Sequence, residues 1–317
     1  MKLWFTYLKA FLAMLFWSAT FIWFKIAYRT YLPYEVTFLR LLLASILLFL
    51  VMLLTKKREK LRRKDIFQLQ LVAFCEPFMY FIGEANGMRI VSSTLGSLVI
   101  STIPIFSAIG AWLILKEKLP FLVVLGLILS TSGVAVMSIY NNDLSATLKG
   151  ILLLMIAVFA GVFYGITVRN LTLRYSPLTI VTWQNFFGML YFLPLFLAVE
   201  GKHFFSVQHS LEGLATIAAM SVFASVGAFI LFTGVIRDLG VAKSNIFTNL
   251  IPVFTVVLAY FILGDTLTLA GWIGIGLAVS GLFVSQYPDL HKFLNQKRLV
   301  SSFTTAETGD KKQGNSG

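Results

Sequence analysis

With 58% apolar and only 13% charged residues, this 317-residue chain is no ordinary soluble domain, where about a quarter of residues are charged. A single cysteine, Cys75, excludes internal disulfides and cysteine metal sites, and the three histidines, His203, His209 and His291, fall in polar connectors. The formal charge of +12 would suit a nucleic-acid binder, but the basic residues gather at the ends of apolar runs, where they report membrane topology.

From the N-terminus, the apolar run to about Ala27 is too long for a signal peptide, is rich in Trp and Phe, and lacks a small-x-small site after it. It reads as an uncleaved first span. Apolar runs between charged or Pro/Gly punctuation predict ten spans: 10–27, 34–54, 66–84, 94–115, 121–139, 149–168, 178–199, 212–236, 243–263 and 270–286. Connectors are short, the longest being Thr55–Asp65 and Glu200–Leu211, and none has room for a soluble domain. The polar, apolar-poor tail from about Leu299 is expected to be disordered.

The chain repeats itself. Arg89, Ile103-Pro104-Ile105-Phe106, Gly126 and Gly133 return as Arg237, Ile251-Pro252-Val253-Phe254, Gly274 and Gly281, and Pro252 minus Pro104 gives a constant offset of 148. Near the start of each copy the offset is 144: Lys25 matches Arg169, Tyr31 matches Tyr175, Pro33 matches Pro177 and Arg40 matches Gln184. Each copy therefore runs through five predicted spans. An odd number per copy forces the second copy to be inverted, a layout from which alternating-access transporters are built.

Placing the N-terminus inside puts 20 Lys/Arg on the inner side, with the Lys56–Lys64 connector as the densest cluster. The outer side holds only 4, namely Arg29, Arg89, Lys149 and Lys202, while Lys25 and Arg40 lie within spans. This bias predicts an all-α membrane protein of ten transmembrane helices, two inverted five-helix repeats with both termini cytoplasmic. The repeats are bounded as 8–139 and 148–286, with 287–317 as a cytoplasmic tail.

Several stretches resemble the EamA-type drug/metabolite transporter family, over nearly the whole chain to about Gln286. They are Trp17-Ser18-Ala19-Thr20-Phe21, Pro33 to Phe38-Leu39-Arg40, Ser101-Thr102-Ile103-Pro104-Ile105-Phe106 with Glu117, and the second copy's Asn249-Leu250-Ile251-Pro252-Val253-Phe254 and Gly264-Asp265. The resemblance implies a multi-pass permease, often an exporter of amino acids or other small metabolites. Trp17 enters the candidate set mainly through it.

Glu76, followed by Pro77, sits near the middle of the third predicted span, where an unpaired charge costs at least about 2.5 kcal/mol. Glu76, Tyr80 and Glu84 recur at four-residue spacing and share a helix face. Arg40 enters its span to a similar depth, so Arg40–Glu76 is a candidate pair, serving either as a structural ion pair or as a recognition and coupling site. Lys25 and Glu84, near predicted outer ends, are expected to snorkel. The second copy has no embedded charge: Glu76 maps to Ala224, Glu84 to Phe232 and Arg40 to Gln184. Ser97 and Ser101 map to Asn245 and Asn249, each set one turn apart beside Pro104 or Pro252. Such polar groups beside a proline kink line a path or satisfy freed backbone. Trp183, Gln184 and Asn185 complete the substrate-path candidates, Pro77, Pro104 and Pro252 are the hinge candidates, and Glu76 is the coupling candidate. The recurring glycines read as sites of close helix packing.

The expected function is transport of small organic metabolites, amino acids or related compounds, across the cytoplasmic membrane by alternating access. The rival readings are a channel or scaffold and a membrane enzyme: a continuous polar stripe through the bundle would favour a channel, and an enzyme would bring convergent His/Asp groups together. The expected partners are the substrate, the bilayer and, as coupling ion, protons; a monomer suffices and nucleic acid is not a partner. No cofactor, metal or catalytic residue is expected, and the chain has no Gly-x-x-x-x-Gly-Lys-Ser/Thr loop.

Overall fold

The computed structural model describes residues 2–56, 59–91, 93–116, 119–139, 148–263, 269–277, 279–285 and 287. Glu117, Asp265, the 140–147 connector and the polar tail lie outside them. Among the described residues the chain is helical, without strands. Among the described residues up to Leu263, fourteen α-helices run in order. In the first copy they are α1 (Lys2–Ala27), α2 (Pro33–Leu54), α3 (Arg63–Ala73), α4 (Tyr80–Ile90), α5 (Ser93–Ile100), α6 (Ile103–Leu115) and α7 (Phe121–Ile139). In the second they are α8 (Leu148–Thr172), α9 (Pro177–Leu195), α10 (Gly201–Ser206), α11 (Leu211–Ala219), α12 (Phe229–Leu239), α13 (Val241–Ile246) and α14 (Leu250–Leu263), after which residues 269–277 and 279–285 are also helical.

Joined through their bends, these helices give seven stretches long and apolar enough to cross a membrane, with three shorter apolar helices beside them. Large apolar side chains such as Trp112, Phe121, Phe159, Phe163, Phe261 and Trp272 are exposed on the outside. A soluble protein does not expose so much contiguous apolar surface, whereas a bilayer covers it. The third stretch runs to Ile90, six residues past the predicted end at 84, and the predicted fourth span is broken between α5 and α6.

Two of the breaks fall at matching places in the two copies, while a third, the π-helical segment Phe196–Glu200 between α9 and α10, has no counterpart in α2. A π-helical segment, Phe74–Met79, joins α3 to α4, and another, Met220–Ala228, joins α11 to α12; adding 148 to the first overlays it on the second. The gap at Ser101 and Thr102 corresponds in the same way to the 3₁₀ turn Phe247–Asn249 between α13 and α14. Pro104 therefore sits in the first turn of α6, where its missing N–H costs nothing, and Pro252 sits in the opening turn of α14. Pro77 differs: it lies inside the first π-helical segment, next to non-helical backbone at Glu76 (φ −145°, ψ 117°).

Helix ends are also treated alike. Pro33 and Pro177 open α2 and α9. Lys25 Nζ donates to the carbonyls of Met88 (3.4 Å) and Val91 (3.0 Å) at the end of α4. Its counterpart Arg169 donates to the carbonyls of Ile236 and Arg237, both at 2.7 Å, at the end of α12. A cation at a helix C-terminus satisfies orphan carbonyls and opposes the negative end of the helix dipole. Lys25 thus reaches across to a neighbouring helix rather than snorkelling.

Glycine permits a close helix contact. A Cβ built on Gly126 would lie 2.5 Å from the Gly281 carbonyl oxygen, so α7 and the helical residues 279–285 touch backbone to backbone.

Candidate binding cavity

A cavity lies between the two copies, with about 580 Å³ of non-atom volume including the part open to solvent. The first copy contributes Trp17, Thr20, Phe21, Arg40, Glu76, Tyr80, Phe81, Glu84, Ile100 and Ile103 to its wall. From the second copy come Gly161, Tyr164, Phe229, Phe232, Asn245, Thr248 and Ile251. Six counterpart pairs are among these. Trp17 and Gly161, and Thr20 and Tyr164, differ by 144; Phe81 and Phe229, Glu84 and Phe232, Ile100 and Thr248, and Ile103 and Ile251 differ by 148. The two copies thus line the cavity with equivalent positions of their sequences.

Chemically the wall is lopsided. Its three charged residues, Arg40, Glu76 and Glu84, all belong to the first copy. Arg40 is 2% exposed; its Nε donates to Ser225 Oγ at 2.6 Å and its guanidinium lies 4.5 Å from the Phe81 ring centroid. Among the described residues no ion pair within 4.0 Å joins Arg40 to Glu76 or Glu84. The two acids and the base face one space without neutralising one another in contact. Glu76 is held by the distorted backbone before Pro77, and Glu84 accepts the Tyr80 hydroxyl at 3.3 Å. Glu84 is 5% exposed and lines the cavity, where sequence reading expected a side chain snorkelling at a span end. Trp17 meets Phe229 and Phe232 edge-on at 5.3 and 5.0 Å, giving one side of the cavity an aromatic wall.

The candidates from sequence divide into two groups. Trp17, Arg40, Glu76, Tyr80 and Asn245 come together in the cavity wall, with Pro77 next to Glu76. Asn245 Nδ2 is buried without a hydrogen-bond partner. Ser97, Ser101, Trp183, Gln184, Asn185 and Asn249 lie outside the lining. Ser97 and Ser101 are buried on the broken stretch, where Ser101 N donates to the Ser97 carbonyl at 2.9 Å. Asn249 Nδ2 donates to Ser130 Oγ at 2.9 Å and ties α14's approach to α7. Asn185 Nδ2 donates to the Val181 carbonyl at 2.9 Å, one turn back on α9. Trp183 packs on Phe49, Phe186 and Phe187. Gln184 is wholly buried. Sequence reasoning passed over Thr20, Tyr164, Phe229, Phe232 and Thr248 as path residues. The repeat offset was the available signal, since it carries Thr20 to Tyr164 and Glu84 to Phe232.

Polar links tie the copies together at both ends of the bundle. At one end Asp65 pairs with Arg174 and accepts the Tyr175 hydroxyl at 2.7 Å, while Glu59 accepts the Ser176 N–H at 2.9 Å. At the other, Glu200 accepts the N–H groups of Tyr34 (2.8 Å) and Glu35 (2.9 Å), and Glu35 Oε1 lies 2.6 Å from His203 Nδ1. Among the described residues, no group of three or more His, Cys, Asp or Glu is placed to hold a metal ion.

Two carboxyl groups and one guanidinium among aromatic faces suit a ligand with both charges.

Residues 4–139 and 148–287 each match the sequence model of the EamA-like transporter family. The chain is 28% identical over 270 residues to the uncharacterized transporter YetK of Bacillus subtilis, covering 82% of each protein. An uncharacterized transporter of Archaeoglobus fulgidus is 25% identical over 273 residues, covering 86% of this chain and 95% of that one. A solved crystal structure superposes with a TM-score of 0.75 at 15% identity, over 89% of this chain and 98% of the other, a likeness of fold.

Proposed function

The chain belongs to the EamA-like transporter family as a multi-pass membrane protein, and from that premise we propose that it carries amino acids or closely related amines across the cytoplasmic membrane. In this reading ten helices cross the bilayer as two inverted repeats, 8–139 and 148–286, with both termini cytoplasmic. Alternating access exposes the central cavity to one side and then the other. The observation that carries the reading is the cavity wall: equivalent positions of both copies meet there, while Arg40, Glu76 and Glu84 place charge of both signs on one side. A zwitterion can satisfy all three groups, and loading it leaves fewer buried charges without partners. The links at the two ends, Asp65–Arg174 and Glu35–His203, are suited to break alternately. Protons are the proposed coupling ion, with Glu76 as the group that carries them.

An untargeted metabolite comparison of cells overproducing the protein with cells lacking it tests the substrate class. The compounds that differ are then offered in counterflow to proteoliposomes holding the purified protein. Accumulation of an amino acid or amine against the unlabelled pool is the expected result; exchange of only neutral or purely anionic compounds contradicts it.

A further inference from the structure

Arg40 on α2 and Gln184 on α9 are counterparts, 184 minus 40 giving the offset of 144. Their surroundings differ. Arg40 bonds to Ser225, inside the π-helical segment Met220–Ala228. Gln184 is 0% exposed, and neither its Nε2 nor its Oε1 has a hydrogen-bond partner. The Tyr164 hydroxyl approaches it without meeting hydrogen-bond geometry and also lies 3.3 Å from Thr233 Oγ1. A buried amide without partners is costly, and native proteins rarely keep one without a use for it.

The helix that carries Gln184 packs against the counterpart of the segment that holds Arg40. α9 packs against the π-helical segment Phe74–Met79: a Cβ built on Gly188, one turn beyond Gln184 on the same face, would overlap the Pro77 ring. Ser225 corresponds to Pro77 and Ala224 to Glu76 by the offset of 148. Proline has no side-chain acceptor, and the residue next to it, Glu76, carries a carboxylate. Among the described residues Glu76 makes no side-chain hydrogen bond or ion pair, and it lines the cavity.

We propose that Gln184 is a positioning residue for Glu76: in the alternate arrangement of the two copies its amide donates to the Glu76 carboxylate, while Arg40 releases Ser225. This rests on the alternating-access reading above. When two equivalent inverted halves exchange conformations, a bond present in one half is expected at the counterpart position in the other state. The Arg40–Ser225 and Gln184–Glu76 bonds then alternate. Glu76 is available to substrate in the present state and occupied by Gln184 in the other, where substrate is released.

The test uses the full-length protein in membranes, with Cys75→Ser and a reporter Thr248→Cys in the cavity wall. The readout is the ratio of alkylation by a membrane-impermeant thiol reagent applied from each face. Gln184→Leu removes the orphan amide here and the bond in the other state, so it shifts the ratio toward the present conformer by about tenfold. Ser225→Ala removes the Arg40 bond of the present conformer, so it shifts the ratio the opposite way. If Gln184→Leu reaches the membrane poorly, Gln184→Met keeps the chain length and carries the same expectation. Shifts in the same direction, an unchanged ratio in the Gln184 variants, or a Gln184→Leu shift of undiminished size in a Glu76→Ala background, where no bond to the carboxylate can form, overturn the proposal. A reporter labelled from one face only in the unmodified background overturns the alternating-access reading itself, a result distinct from both.

Discussion

Tyr31 and Tyr175 are counterparts 144 residues apart, and each reaches from its own copy into the other. Tyr175 donates its hydroxyl to Asp65 at 2.7 Å and accepts the Arg62 N–H at 3.1 Å. Tyr31 Oη lies 3.2 Å from His209 Nδ1, and its ring lies where a Cβ on Gly213, the counterpart of Asp65, would fall. Equivalent tyrosines therefore latch the two ends of the bundle to different depths of bonding. Tyr175 is tied to a carboxylate that also pairs with Arg174, and Tyr31 to an imidazole and the Ser210 backbone, neither of them a carboxylate.

This asymmetry yields a prediction for the latches. A hydrogen bond to a charged group contributes about 1.5–3 kcal/mol, and a neutral one about 1 kcal/mol. Tyr175→Phe is expected to raise access from its end of the bundle by about tenfold or more, and Tyr31→Phe to raise access from the opposite end by less. Thiol labelling of a cavity cysteine from each face measures both. Equal effects on one face would rule out the latch assignment.

Glu76 and Glu84 are expected to separate in function. Glu76→Gln keeps the shape of the side chain and removes its charge. It should abolish the pH dependence of net transport while counterflow exchange persists, because exchange needs the cavity but not the proton. Glu84→Gln leaves an acceptor for the Tyr80 hydroxyl and is expected to weaken substrate affinity by about tenfold through loss of charge, with pH dependence retained. Initial rates across a pH series decide between the two; unchanged pH dependence in a well-expressed Glu76→Gln protein removes Glu76 from coupling.

Asn245 and Asn249, one turn apart, are predicted to behave differently. Asn245 lines the cavity with an unbonded Nδ2, so Asn245→Ala should change substrate preference at normal expression. Asn249 bridges to Ser130 and lies outside the lining, so Asn249→Ala should cost about 1–2 kcal/mol of stability and leave preference intact. Detergent thermal unfolding together with a competition profile distinguishes them. The reverse assignment, or identical effects, contradicts the geometry.

The apolar runs and the constant offset made the helical class and the paired copies legible without coordinates, since both depend on local hydrophobicity and repeat spacing alone. What was hidden depended on where helices bend and end. Glu84 looked terminal because the apolar run fades there, yet the helix continues to Ile90 on polar and small residues and leaves Glu84 buried at the cavity. Pro104 signalled a kink at itself, whereas the break falls before it, at Ser101 and Thr102, because proline is best placed in a first turn. Tyr164 and Phe232 gave no polar signal. Their place in the wall follows from being opposite Thr20 and Glu84, which is a tertiary fact. Gln184 was visible as a polar residue in a span, but not its lack of partners.

The 20-to-4 distribution of Lys and Arg predicts topology. Reporter fusions are expected to place the Lys56–Lys64 connector and the C-terminus in the cytoplasm and the Asn141–Lys149 connector outside. An external C-terminus would remove the inverted arrangement.

Alternating access to the central cavity is tested most directly by a single cysteine at Thr248, in a Cys75→Ser background, probed with an impermeant thiol reagent from either face of the membrane. The account predicts labelling from both faces, protection by the substrate on both, and no ion conductance through the protein. Labelling from one face only, or simultaneous access with steady conductance, would contradict it.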